Sequence, residues 1–230
     1  MFSWVSLFDL RRRRLRKRTA PGILRDYLDH PLPAGNTPCA EVPFLALDME
    51  TTGLDATRHE ILTIGFVPLV GGVVRLSESG HLLIKPLKPI PPETVVLHGL
   101  TDDRSAQGAP LAEVFPTLLQ AMAGRVLLVH YAPLERAFLR QAFRRLHGVI
   151  PPTLFVDVMA LEIRRMQRMN HHPLPGELRL AQLRGQYGLP RYRAHNALSD
   201  ALATAELFLA QQARQGDTGN RVALRKLLVW

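Results

Sequence analysis

The chain has 230 residues, 47% of them hydrophobic and 21% charged, with Cys39 as its single cysteine. That balance excludes a collagen, an acidic disordered chain and a disulfide scaffold, and the length allows one domain with extensions around a core that needs no staples. The net charge of +9 is uneven: residues 1–20 hold seven arginines and lysines against Asp9 alone, while the rest carries 22 basic and 19 acidic side chains. Basicity therefore marks an arm, and charge alone does not assign the body to nucleic acid.

The N-terminus runs MFSWVSLFDL and then RRRRLRKR. Apolar before basic reverses the order of a secretory signal, and no apolar run reaches the roughly 18 residues of a membrane span. With one cysteine, a reducing, cytoplasmic compartment is expected. The arm suits contact with nucleic acid, anionic lipid or a protein partner, or else a solvated helical tail. PLPAGNTPCAEVP (31–43) reads as a linker. The chain thus divides into an arm and linker (1–42), a body (43–215) and a C-terminal tail (216–230). FLALDME (44–50) and ILTIGFVPLV (61–70) predict buried strands, Gly71-Gly72 a turn, and HLLIKP (81–86) a third strand. A proline-rich loop precedes a short helical stretch (93–98) and an amphipathic helix at about 110–122. RVLLVH (125–130) predicts a fourth strand, and helical periods cover 133–146, 155–167, 177–188 and 197–215. Antiparallel strands followed by alternating helix and strand predict an α/β sandwich with a mixed sheet.

Three segments could carry chemistry. Asp48 and Glu50 stand two apart at a strand end, so the strand period sends both carboxylates to one face. Two unpaired carboxylates cannot share a buried face, so they are solvated or hold a hard cation such as Mg²⁺ or Mn²⁺. Thr51, Thr52 and Gly53 follow in a polar turn whose amides can approach a ligand. Glu135 lies in the first turn of a helix after a buried strand, where a carboxylate also serves as a plain cap; His130 ends that strand. His195 precedes the last helix and Asp200 sits in its first turn. Cys39 has no base nearby, His171-His172 reads as a polar loop, Asp157 as a helix-start charge, and no Walker-type loop is present.

Read together, the segments resemble the DEDD-type 3′–5′ exonucleases, in the histidine subgroup that contains the proofreading subunit of bacterial DNA polymerase III. The first motif is matched by Asp48-Met49-Glu50-Thr51-Thr52-Gly53-Leu54, and an intermediate one by Leu97-His98-Gly99-Leu100-Thr101. The second is similar to His130-Tyr131-Ala132-Pro133-Leu134-Glu135, and the third to His195-Asn196-Ala197-Leu198-Ser199-Asp200. Two positions depart from the pattern: Glu135 replaces the usual Asp, and Tyr131 the usual Asn. The resemblance spans roughly residues 43–212. It implies a ribonuclease H-like three-layer sandwich whose five-stranded mixed sheet has three antiparallel strands first, then parallel ones. It also implies two divalent cations, Mg²⁺ or Mn²⁺, held by Asp48, Glu50, Glu135 and Asp200, with His195 as general base. Met49, Thr51, Thr52, Leu54, His98 and His130 would meet the substrate, the 3′ end of single-stranded DNA or RNA. A polymerase or other protein partner would engage the arm. The departure at Glu135 and the basic arm keep open a non-catalytic binding module, and the sequence does not choose DNA over RNA, which keeps open an RNA-trimming or oligoribonucleotide-degrading enzyme.

Overall fold

The computed structural model describes residues 4–89, 107–192, 195–216 and 221–229, with side chains from residue 7 onward. The helical stretch expected at 93–98, and with it His98, lies outside them.

Strands β1 (Phe44–Thr51), β2 (Ile61–Val70), β3 (Val73–Val74), β4 (Gly80–Leu83), β5 (Val126–Val129), β6 (Phe155–Asp157) and β7 (Leu228–Val229) form one seven-stranded mixed sheet. Its order is β3-β2-β1-β5-β6-β7, with β4 also on β2. β1–β2, β2–β3, β2–β4 and β6–β7 are antiparallel, while β1–β5 and β5–β6 are parallel. β5 and the first half of β1 (Phe44–Leu47) are apolar on both sides because helices cover both faces, the usual setting of parallel pairs. Among the described residues the helices are α1 (Trp4–Arg18), α2 (Ile23–Asp29), α3 (Leu111–Met122), α4 (Ala132–His147), α5 (Val158–Arg168), α6 (Leu180–Gln186) and α7 (Ala197–Ala213). α2, α3 and α4 pack on one face through Leu28, Phe115, Leu119 and Phe143. α5, α6 and α7 pack on the other through Val158, Leu183, Ala201 and Phe208. The result is the expected three-layer sandwich of ribonuclease H-like type, with seven strands where five were expected.

Three of the seven strands, β3, β6 and β7, were not among those read from the sequence: β3 is a two-residue pairing with the end of β2 after the Gly71-Gly72 turn, and β6 and β7 depend on each other. Phe155–Asp157 was expected to open a helix, yet it pairs in parallel with β5, and the helix starts one residue later. Asp157 marks the boundary as its N-cap, accepting hydrogen bonds from the amides of Met159 (2.9 Å) and Ala160 (3.2 Å). The C-terminal segment then pairs Leu228 with Val156, and Leu224, Leu227 and Leu228 are buried. The N-terminal segment also joins the body. Leu24, Tyr27 and Leu28 of α2 enter the main core, and Arg12 of α1 is buried, its guanidinium bonded to Asp9 and the Leu28 carbonyl. The helix expected at 177–188 shortens to α6. None of the described helices is long and apolar enough to cross a membrane.

Candidate active site

Strand alternation decides which β1 side chains reach the site. Leu45, Leu47 and Met49 point into the α2–α4 layer, whereas Phe44 and Ala46 point toward α7. Asp48 and Glu50 share that second face. Met49, expected to touch substrate, is therefore placed by its side chain in the core, 4% exposed.

The face that carries Asp48 and Glu50 is covered by the start of α7, which brings in Asp200. Oxygens of Asp48, Glu50 and Asp200 come within 4.8 Å of one another. Gly65 makes this approach possible. It stands opposite Asp48 in the β1–β2 register, and a Cβ there would lie 2.1 Å from the carbonyl carbon of Ala197 and 2.2 Å from the amide nitrogen of Leu198. Only a residue without a side chain lets the helix start rest on the strand at this point. Asn196 caps α7 by accepting from the Ser199 amide (3.1 Å). The amide of His195 donates to Asp200 Oδ2 (2.9 Å), with His195 itself in a left-handed conformation (φ 64°) and exposed. Histidine and carboxylate are thereby tied together at the mouth of the site.

Glu135 arrives from the other layer. It lies in the first turn of α4, 1% exposed, and its Oε2 is buried with no hydrogen-bond partner among the described residues. Capping needs only one oxygen, and the carboxylate does bond its own amide, so it is the second, orphaned oxygen that fits a cation ligand. The start of α4 is held by Asp157, whose Oδ1 accepts from the Tyr131 amide (3.1 Å) and Oδ2 from the Ala132 amide (2.8 Å). Tyr131 adopts a left-handed conformation (φ 84°), uncommon for a bulky residue, and the pull of Asp157 on its amide helps to maintain it. Sequence reasoning saw Asp157 only as a helix-start charge and did not single out Gly65. The N-cap pattern before VMALEI was readable, but the bond from Asp157 back to α4 depends on the fold.

The electrostatics are those of a crowded, buried acidic cluster. Burial pushes Asp48 well above the usual carboxylate range, and the charges of Glu135, Glu50 and Asp200, in that order, push further. Burial raises Glu135 to about 8. Asp200 is raised by burial and by Glu50, against the lowering bond from His195. Carboxylates in this state, with only hard oxygen donors, suit a divalent metal ion. Around them, the Thr51 hydroxyl donates to the Gly53 carbonyl (2.8 Å), and the Thr52 hydroxyl accepts from the Glu60 amide (3.0 Å). This pins the turn that presents Leu54, which is 81% exposed. His130 lines an open cleft of about 510 Å³ with Met159, Leu174 and Arg179. Burial holds its imidazole below the usual histidine range.

Residues 45–208 match the exonuclease family model RNase T. The chain is 31% identical over 179 residues to the DNA polymerase III subunit epsilon of Treponema pallidum, covering 76% of this chain and 80% of that protein. It is 30% identical over 169 residues to the PolC-type DNA polymerase III of Thermotoga maritima, covering 74% of this chain. The chain spans only 12% of the length of that polymerase and of its Thermotoga petrophila counterpart. Among solved structures it superposes on the nuclease domain of 3′hExo, a DEDDh family member bound to rAMP, with a TM-score of 0.64 at 14% identity, over 78% of this chain and 96% of that one. Exonuclease X in complex with 5′ overhanging duplex DNA superposes with a TM-score of 0.58 at 22% identity, over 78% and 97%. Those superpositions establish the fold; the match over most of the chain, joined to the gathered carboxylates, places it in the RNase T exonuclease family, as a DEDD-type exonuclease of the ribonuclease H-like superfamily.

Proposed function

We propose that the chain hydrolyses the terminal phosphodiester bond at the 3′ end of single-stranded nucleic acid, DNA in preference to RNA, releasing nucleoside 5′-monophosphates. The observation that carries this reading is the meeting of Asp48, Glu50 and Asp200 within 4.8 Å in an exonuclease-family chain. Asp48, Glu50, Glu135 and Asp200 would hold two divalent cations, Mg²⁺ or Mn²⁺, whose positive charge offsets the four carboxylates. When bound, such ions lower the pKa of water and stabilise charge on the phosphoryl and leaving oxygens. The chain's own residues do the rest. Exposed His195 accepts the proton of the attacking water, a general-base task for which an imidazole nitrogen is chemically suited. A water oxygen bonds to phosphorus as the bond to the 3′-oxygen breaks, and that oxygen leaves with a proton as the new 3′-hydroxyl. The Thr51–Leu54 turn receives the last nucleotide, with Leu54 against its base and His130 among the residues that meet the substrate. The epsilon relatives support a polymerase partner, for which α1 offers exposed Arg13, Arg14 and Lys17.

The test is digestion of matched 5′-labelled DNA and RNA strands with Mg²⁺ or Mn²⁺. Both strands should shorten from the 3′ end one nucleotide at a time, DNA faster. Asp48→Ala should lower the rate by about 10³-fold or more, the scale seen when a group central to charge stabilisation is lost. Full activity in EDTA, or in Asp48→Ala, overturns the reading.

A further inference from the structure

A second cationic site lies at the far end of α7 from Asp200. There α5, Tyr187 just after α6, the end of α7 and the C-terminal segment line a cleft of about 610 Å³. Its lining, among the described residues, includes Arg164, Arg165, Arg168, Arg214 and Lys226 against one carboxylate, Glu162. That carboxylate is already spent: Glu162 is fully buried, accepts from Arg165 Nε (2.6 Å), the Tyr187 hydroxyl (2.7 Å) and Gln211 Nε2 (3.2 Å), and so neutralises Arg165 alone. Arg164 is fixed by donating to the carbonyls of Lys226 (3.0 Å) and Leu228 (3.1 Å), neutral groups that leave its charge uncompensated. Arg214 lies over the Tyr187 ring at 5.2 Å. Arg168, Arg214 and Lys226 are exposed at the rim. Among the described residues the cleft therefore offers four positive charges without a lining counter-ion, on a body whose charge is otherwise nearly balanced. Tyr187, the lining aromatic, is covered by a guanidinium, so bases have little to stack on and phosphates have much to pair with.

We infer that this cleft binds the phosphodiester backbone of the single strand whose 3′ end occupies the carboxylate site. The inference rests on the proposed function for the identity of its ligand. At about 1.5 Å per helical residue, Arg214 stands about 21 Å along α7 from Asp200. That is a run of about six stacked nucleotides at roughly 3.4 Å each. Strands shorter than this reach the carboxylates only, and longer ones reach both sites.

The experiment compares the intact chain with the triple variant Arg168→Ala, Arg214→Ala, Lys226→Ala, all surface positions that leave the Glu162 network in place. Binding of a labelled single strand of about 20 nucleotides is measured in EDTA from about 50 to 200 mM salt, and hydrolysis of a trinucleotide is measured with Mn²⁺. The triple variant should bind the long strand at least about tenfold more weakly, with a salt slope shallower by about 2, the share of three phosphate contacts at about 0.7 each. Trinucleotide hydrolysis should be unchanged, and Arg168→Lys with Arg214→Lys should keep the slope. An unchanged affinity and slope for the long strand overturns the inference, as does an equal loss with the trinucleotide, which would mean the variant acts through the fold. Cleft-dependent binding by a chain that hydrolyses nothing would uphold the cleft and overturn the proposed function instead.

Discussion

Glu135 is buried where a lone negative charge is costly, and its carboxyl is raised to about 8. The folded chain therefore keeps a proton that the unfolded chain releases between about pH 4.5 and 8, so stability of the metal-free protein falls as pH rises through that window. Asp48 is shifted in the same direction and adds to the effect. The melting temperature measured in EDTA should drop from about pH 5 to pH 8, and Glu135→Gln should flatten the curve, because an amide has no proton to lose. Mn²⁺ should raise the melting temperature more at pH 8 than at pH 5, since cations bind the ionised form. A wild-type curve as flat as the variant's would show that Glu135 is not held in this protonated state. At this scale the sequence was most informative. The spacing of Asp48 and Glu50 foretold a shared face, and the same alternation places Met49 in the core. The orphaned Oε2 of Glu135 was not legible, because what stands beside the second oxygen of a first-turn carboxylate is decided by the fold.

Between elements, the site depends on contacts that take up almost no space. α7 rests on β2 at Gly65, so adding one methyl forces the helix start away from Asp48. Overpacking of this kind costs about 1–3 kcal/mol of stability, and a displacement of about 1 Å in a catalytic group costs about 10²-fold in rate. Gly65→Ala should therefore keep its circular dichroism spectrum and melt only modestly lower, while hydrolysing a labelled strand about 10²-fold more slowly. Wild-type turnover would show that the carboxylates tolerate movement of α7. Long elements with clear periods, such as β1, β2, α4 and α7, were readable within a few residues. Phe155–Asp157 was not, since three apolar-rich residues before a helix carry no period of their own and become a strand only by pairing with β5. β7 had the same difficulty, being two residues long and defined by a partner some seventy residues earlier.

Across the whole molecule, the ends of the chain are bound to the middle. The basic N-terminal segment was set apart by charge, and composition cannot reveal that its helix α2 inserts Leu24, Tyr27 and Leu28 into the core beneath α3. Leu28 is fully buried, so Leu28→Ala should destabilise by about 2–5 kcal/mol in urea unfolding, whereas exposed Arg13→Ala should stay within about 0.5 kcal/mol. A small Leu28 effect would mean that the segment is a loosely attached arm after all. The C-terminal segment is bound likewise, closing the sheet as β7 and lining the cationic cleft with Lys226. Asp157 links these parts. Its two oxygens are shared by amides that begin α4, the helix of Glu135, and α5, the helix of Arg164 and Arg168. Both helix starts thus hang from one inner carboxylate at the end of β6, so the position of Glu135 and that of the α5 arginines are set by the same side chain.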